Sequence, residues 1–232
     1  MATPYNAPYG SPSLHGAPGR TGATPLTRPP RPAKLCVKRP GIVTMALLIL
    51  GILLFTCVHL IPSLAPGLRA GWRKRLGEGP YRGLFSLLLL AGVALIVLGW
   101  RSVDPVYLYT PDPALRHPAM GLLLLAFLLL VVSKRRSRLR LWLRHPQLTG
   151  VLLWAGAHLL LNGDNRSLLL FGSLAVWSVV EIFAINRRDG VWVRGAAPSW
   201  GSEIVTLLIT VVVVGVVIYI HPWISGMPII PR

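Results

Sequence analysis

The chain has 232 residues, of which 53% are apolar and only 13% charged, with a formal net charge of +17. A soluble domain carries about 25% charged residues, so this composition excludes an ordinary soluble fold and places the chain in a lipid bilayer. A nucleic-acid surface is excluded as well, because the Lys and Arg residues sit between apolar runs, where they act as topology signals and headgroup contacts.

Residues 1–40 are mostly Pro, Gly, Ala, Ser and Thr, with six Lys or Arg and no acid. Such a mixture cannot bury enough apolar surface to offset the entropy of ordering. It predicts a disordered basic Pro/Gly-rich tail over 1–40 and a transmembrane domain over 41–232. The tail is no secretory signal, because the apolar run behind it lacks a small-residue cleavage site. Met45 opens MALLILGILLF and reads as an alternative natural amino terminus, with the first 44 residues as an extension.

Six apolar runs follow, over 42–61, 83–100, 118–132, 148–161, 168–185 and 204–220. Twenty helical residues at ~1.5 Å each reach about 30 Å, the thickness of the hydrocarbon core. The third and fourth runs are shorter, which predicts tilted elements whose flanking polar turns are covered by neighbours. No barrel-type alternation is present, so the expected fold is all-α: a polytopic transmembrane helical bundle of about six helices. Cations concentrate after the first, third and fifth runs, at Arg69, Arg73, Lys74, Arg75 and Arg82, then from Lys134 to Arg144, then at Arg187, Arg188 and Arg194. Those connections are expected on the cytoplasmic side, with the amino terminus outside. Leu68, Trp72 and Leu76 recur every four residues among the first group, which suits a short amphipathic helix on the membrane surface or a solvated basic loop.

The stretch from Arg144 to Asp164 places His145 at the mouth of an apolar helix and His158 deep inside it. An ionisable ring in lipid is costly without a partner, so an intramembrane histidine is a functional candidate. His145 and His158 are separated by ~20 Å of rise and about 220° of rotation on one helix, too far to share a metal. Trp154, His158 and Asn162 share a face at i, i+4 spacing. Gly150, Ala155, Gly156 and Ala157 are small enough to admit another helix or a flat cofactor. The second intramembrane histidine is His59, with Cys57 about 200° away round the helix. Two imidazoles from different helices form the arrangement that holds a b-type haem. The structural alternative is that each ring hydrogen-bonds a carbonyl across helices.

Glu181 is a carboxylate inside the fifth run, with three readings: a partner for a ligating histidine, a salt bridge to Arg144, or a side chain reaching the headgroups. Asn162, Gly163 and Asp164 read as a turn of residues that tolerate the left-handed conformation. His117 and His221 each precede a proline at a helix boundary and read as capping or interfacial. Cys36 and Cys57 lie in unlike surroundings and predict no disulfide, and no zinc spacing, catalytic triad, Walker loop or dinucleotide fingerprint is present.

The segments HLIPSLAPGLRA, RLGEGPYRGLFSL, LRHPQLTGVLLWAGAHLLLNGD and HPWISGMP together resemble the NnrU family of bacterial membrane proteins, named from denitrification gene clusters. The likeness covers about residues 45–232. The RHPQ stretch also resembles cis-zeta-carotene isomerase, a relative that carries a membrane-embedded haem b and isomerises a double bond. The resemblance implies haem b ligated by His59 and His158, with His145 in the shared element and Asn162, Gly163 and Asp164 as candidates for the site rim; helical spacing and charge add Trp154, Glu181 and Arg144 around the site. It implies a role in nitrogen-oxide metabolism or in haem-dependent isomerisation of a hydrophobic polyene, in the bacterial inner membrane, with a polyene or a redox partner. A non-enzymatic assembly or sensing factor, or a structural bundle without haem, is the alternative. The isomerase has a cysteine three residues before its second haem histidine, where this chain has Ala155, so a thiol-for-histidine exchange at that position is not expected.

Overall fold

An apolar run without water or interior partners leaves each backbone N–H and C=O only its own helix to bond, so every such run closes into an α-helix. The computed structural model describes residues 41–226; the expected tail over 1–40 lies outside the described residues. Seven α-helices form among them: α1 (Gly41–Leu64), α2 (Pro66–Leu76), α3 (Glu78–Ser102), α4 (Arg116–Val132), α5 (Pro146–Leu161), α6 (Asn165–Asp189) and α7 (Trp200–Ser225). Five stretches, the third beginning at Pro113 in a 3-10 turn ahead of α4, are long and apolar enough to cross a membrane, and α5 is a shorter apolar helix.

Among the membrane-crossing helices, a polar side chain caps the first turn of α6. Asp164 caps α6 by accepting from the Ser167 amide at 3.0 Å and the Ser167 hydroxyl at 2.7 Å. Pro146 opens α5 and Pro66 opens α2, each at a position where the missing N–H costs nothing. The basic segment after α1 is a helix, α2, none of whose residues is buried by protein. Leu68 and Leu76 stay exposed on it, as an amphipathic surface helix requires.

The bundle is built outward from α6. That helix packs against both α1 and α5; α3 backs onto α1, α4 onto α5, and α7 bridges α4 and α3. Leu48, Ile52, Leu148, Ala155, Leu170, Phe171, Leu174 and Trp177 form the core. Gly99 lets α3 approach α1 so closely that a Cβ there would lie 2.5 Å from the Leu48 nitrogen, the small-residue contact that membrane helices use.

The two ends of the bundle differ in charge. At one end Arg188 donates to the Pro62 carbonyl at 3.0 Å, Arg144 to the Gly190 carbonyl at 2.7 Å, and Ser202 to the Arg136 carbonyl at 2.7 Å. All three cation-rich connections therefore meet at one end. The opposite end gathers Trp100, Arg101, Asn165, Trp223 and Ser225. There the expected left-handed turn at 162–164 is replaced by extended chain. Asn162 has φ −133° and ψ 120°, and Tyr107 and Asp164 form an antiparallel bridge. The reason is that the Gly163 carbonyl accepts from both the Leu108 and Tyr109 amides, which a tight local turn would prevent.

Candidate functional site

His59 stands one turn before Pro62 on α1 and meets α6 and α3. Its Nδ1 donates to the Phe55 carbonyl of its own helix at 2.9 Å. That bond fixes the proton on Nδ1 and leaves Nε2 as a lone pair with no partner among the described residues. Phe55, Trp177 and Phe85 surround the ring, with centroids 4.3, 5.2 and 6.2 Å away. The Trp177 indole N–H is buried and has no hydrogen-bond partner among the described residues, an unusual condition in an apolar interior. One turn further along both helices, Ser63 donates to Glu181 at 2.7 Å.

His158 is prepared in the same way on α5. Its Nδ1 donates to the Trp154 carbonyl at 2.9 Å. The ring stacks on Phe171 at 4.4 Å and 26°, with Trp154 at 4.7 Å. Asn162 donates to the His158 carbonyl at 2.9 Å, so Trp154, His158 and Asn162 do line one face. Both histidines use a carbonyl of their own helix, not one across the interface.

A buried ion pair lies beside this second cluster. Arg166 and Asp164, both buried, approach to 3.4 Å. Arg166 also donates to the Trp100 carbonyl at 3.1 Å and sits 4.5 Å over the Trp100 ring. Tyr109 reaches in from the α3–α4 connection and donates to the Leu159 and Asn162 carbonyls. Desolvation, reinforced by the Asp164 carboxylate, pushes the Tyr109 phenol above its ordinary value.

The remaining expected residues are placed apart from the two rings. His145 stands at the N-cap position of α5 without capping it by its side chain, and donates from Nε2 to Asn186 Oδ1 at 2.8 Å, at the basic end. Arg144 bonds Gly190 and Glu181 bonds Ser63, so these two do not pair. Glu181 is buried and does not reach out to headgroups. Cys57 is exposed, away from His59. His117 is exposed in the first turn of α4, and His221 meets Ser225 at 3.1 Å while standing within electrostatic range of His158. Helices take most of the small positions of α5: a Cβ on Gly150 would lie 2.9 Å from the Ala126 carbonyl, and Ala155 and Ala157 are fully buried, while a Cβ on Gly156 would meet nothing within 4 Å.

Sequence reasoning missed Trp177, Ser63, Tyr109 and the Asp164–Arg166 pair. Asp164 carried a signal, since an Asp just ahead of an apolar run marks a helix start. Tyr109 carried none, because it acts across the chain on carbonyls left open where α5 ends.

The donor chemistry of each ring fits haem iron, which takes a neutral imidazole through Nε2. One porphyrin ligated by both rings does not fit this packing. Trp177 and Phe171, which carry the two clusters, are six residues apart on α6, about 9 Å along its axis and about 240° round it. The cavity beside Phe85, between α1, α2 and α3, holds about 10 Å³, roughly one water.

Among known proteins, the family described as NnrU protein matches residues 47–229. No curated protein and no solved structure matches the chain. The match spans the six apolar helices and both histidine clusters: this chain belongs to the NnrU protein family and is a multi-pass membrane protein.

Proposed function

We propose that this protein binds haem b, which His59 would hold through Nε2, and serves nitrogen-oxide or redox chemistry in the bacterial cytoplasmic membrane. The observation that carries this reading is that the His59 and Trp177 rings lie 5.2 Å apart, with neither His59 Nε2 nor the buried Trp177 indole N–H bonded to any described residue. The first would be the donor to the iron, and the second a hydrogen-bond donor on the histidine's own side of the bound group. Haem supplies an iron that takes a neutral nitrogen ligand and exchanges an electron or holds a small ligand. The chain's own contributions are the Phe55 carbonyl that sets the His59 tautomer, the aromatic wall that excludes water, and the Arg-rich end that suits carboxylates of a bound group. The cation-rich connections favour that end in the cytoplasm and the start of α1 outside.

The test is the reduced-minus-oxidised absorption spectrum of protein purified from haem-replete cells. A Soret band that His59→Ala abolishes and Trp177→Phe retains supports the reading. A colourless preparation, or a band indifferent to His59→Ala, overturns it. A second reading, a structural bundle with self-satisfied histidines, is favoured by the close packing round both rings, and the colourless outcome would establish it.

A further inference from the structure

At the basic end, a groove of about 290 Å³ opens between α4, the 3-10 turn at Arg138–Leu141 and the first turns of α7. Its floor is apolar, formed by Leu128, Val132 and Leu207. Its rim carries Arg138, Trp142 and Trp200, and the two indoles are 84% and 68% exposed. Exposed indoles at the end of a membrane span belong at the level of the headgroups. The floor therefore lies at acyl-chain depth and the rim at phosphate depth.

Arg138 is held in place before any ligand arrives. Its guanidinium carbon sits 4.0 Å over the Trp200 ring, and its Nε donates to the Pro198 carbonyl at 3.3 Å. The two terminal nitrogens have no partner among the described residues. Lys134, Arg135, Arg136 and Arg140 stand on the same connection. The carboxylate at the groove, Glu203, is already engaged: it accepts from Ser137 Oγ at 2.9 Å and from the Arg138 amide at 2.7 Å.

We propose that this groove is a specific binding site for an anionic phospholipid. An acyl chain lies along Leu128, Val132 and Leu207, and the phosphodiester meets the terminal nitrogens of Arg138. The occupant follows from charge and shape together. A free phosphate would leave the apolar floor unfilled. A zwitterionic lipid would carry an ammonium into a field of five cations. An anionic lipid satisfies both surfaces, and a preset guanidinium reduces the ordering needed to hold it. Seated there, the lipid joins α7 to α4 at the point where α7 has its only two buried side chains, Thr206 and Thr210.

The full chain, delipidated in detergent, would be titrated with phosphatidylglycerol, phosphatidylcholine or inorganic phosphate, reading bound lipid by native mass spectrometry and the unfolding midpoint. Phosphatidylglycerol should stay bound and raise the midpoint, while phosphatidylcholine and phosphate do neither. Arg138→Gln should weaken phosphatidylglycerol binding about tenfold, the scale of one charge-assisted contact. Leu207→Trp, which fills the groove from a lipid-facing position, should abolish retention, and Arg73→Gln on α2 should change nothing. Equal retention of phosphatidylcholine, a phosphate effect matching the lipid's, or wild-type retention by either groove variant would overturn the proposal. If Arg138→Gln fails to fold, Leu207→Trp decides.

Discussion

Helices α6 and α7 are both apolar enough to cross a membrane, yet their places in the bundle are opposite. In α6 33% of the most apolar window is buried inside the protein, and in α7 11%. The buried set on α6 includes Arg166, Ser167, Ser178 and Glu181 as well as Leu170, Phe171, Leu174 and Trp177. The mean hydropathy of that window is lower on α6, 2.2 against 2.7. The lesson is that in lipid the more polar helix goes to the centre, because hydrocarbon solvates Leu and Val as well as a protein core does but cannot satisfy an arginine or a serine.

The comparison can be broken most severely at the start of α6. Arg166→Leu strands the Asp164 carboxylate in a buried site and should lower unfolding free energy by about 3–5 kcal/mol; Asp164→Asn in the same chain should recover most of it, read by thermal unfolding in detergent. Glycine tests the packing next. Gly99→Ala pushes a Cβ against the Leu48 backbone and should destabilise by about 1–3 kcal/mol. On α7, Gly215 has nothing within 4 Å, so Gly215→Ala should leave stability unchanged or raise it by up to ~1 kcal/mol.

Tyr109→Phe removes both bonds that hold the α3–α4 connection over the end of α5 and should cost about 1 kcal/mol. Its phenol is pushed up, so the wild-type contribution is complete below the ordinary value near ~10 and is lost as pH rises through the raised one. Hydrogen exchange of 107–109 against pH should follow that loss, and the Phe variant should show no such dependence. The smallest effect belongs to the lipid-facing middle of α7, where Val211→Ala should stay within about 0.5 kcal/mol. A larger loss there would mean that α7 buries a face against something other than lipid.

Part of the site was legible in the residues. Trp154, His158 and Asn162 share a face because helical spacing alone puts them there, and Cys57 points away from His59 for the same reason. The proton positions on both histidines were not legible, since the competing partner was expected on another helix and each ring found the carbonyl four residues back. Glu181 shows the same limit: its charge suggested a histidine, Arg144 or the headgroups, while its partner is the Ser63 hydroxyl 118 positions away.

The sequence by itself determined how many apolar helices form, where they lie and which connections carry the cations, because lipid leaves a backbone only one way to bond and period and hydropathy are local. Tertiary structure alone decided that α6 is the hub, that His59 and His158 occupy separate aromatic clusters, and that α7 lies at the edge of the bundle against α4 and α3, with a groove beside its first turns. Those outcomes depend on which polar groups find each other across helices, and no local pattern records that.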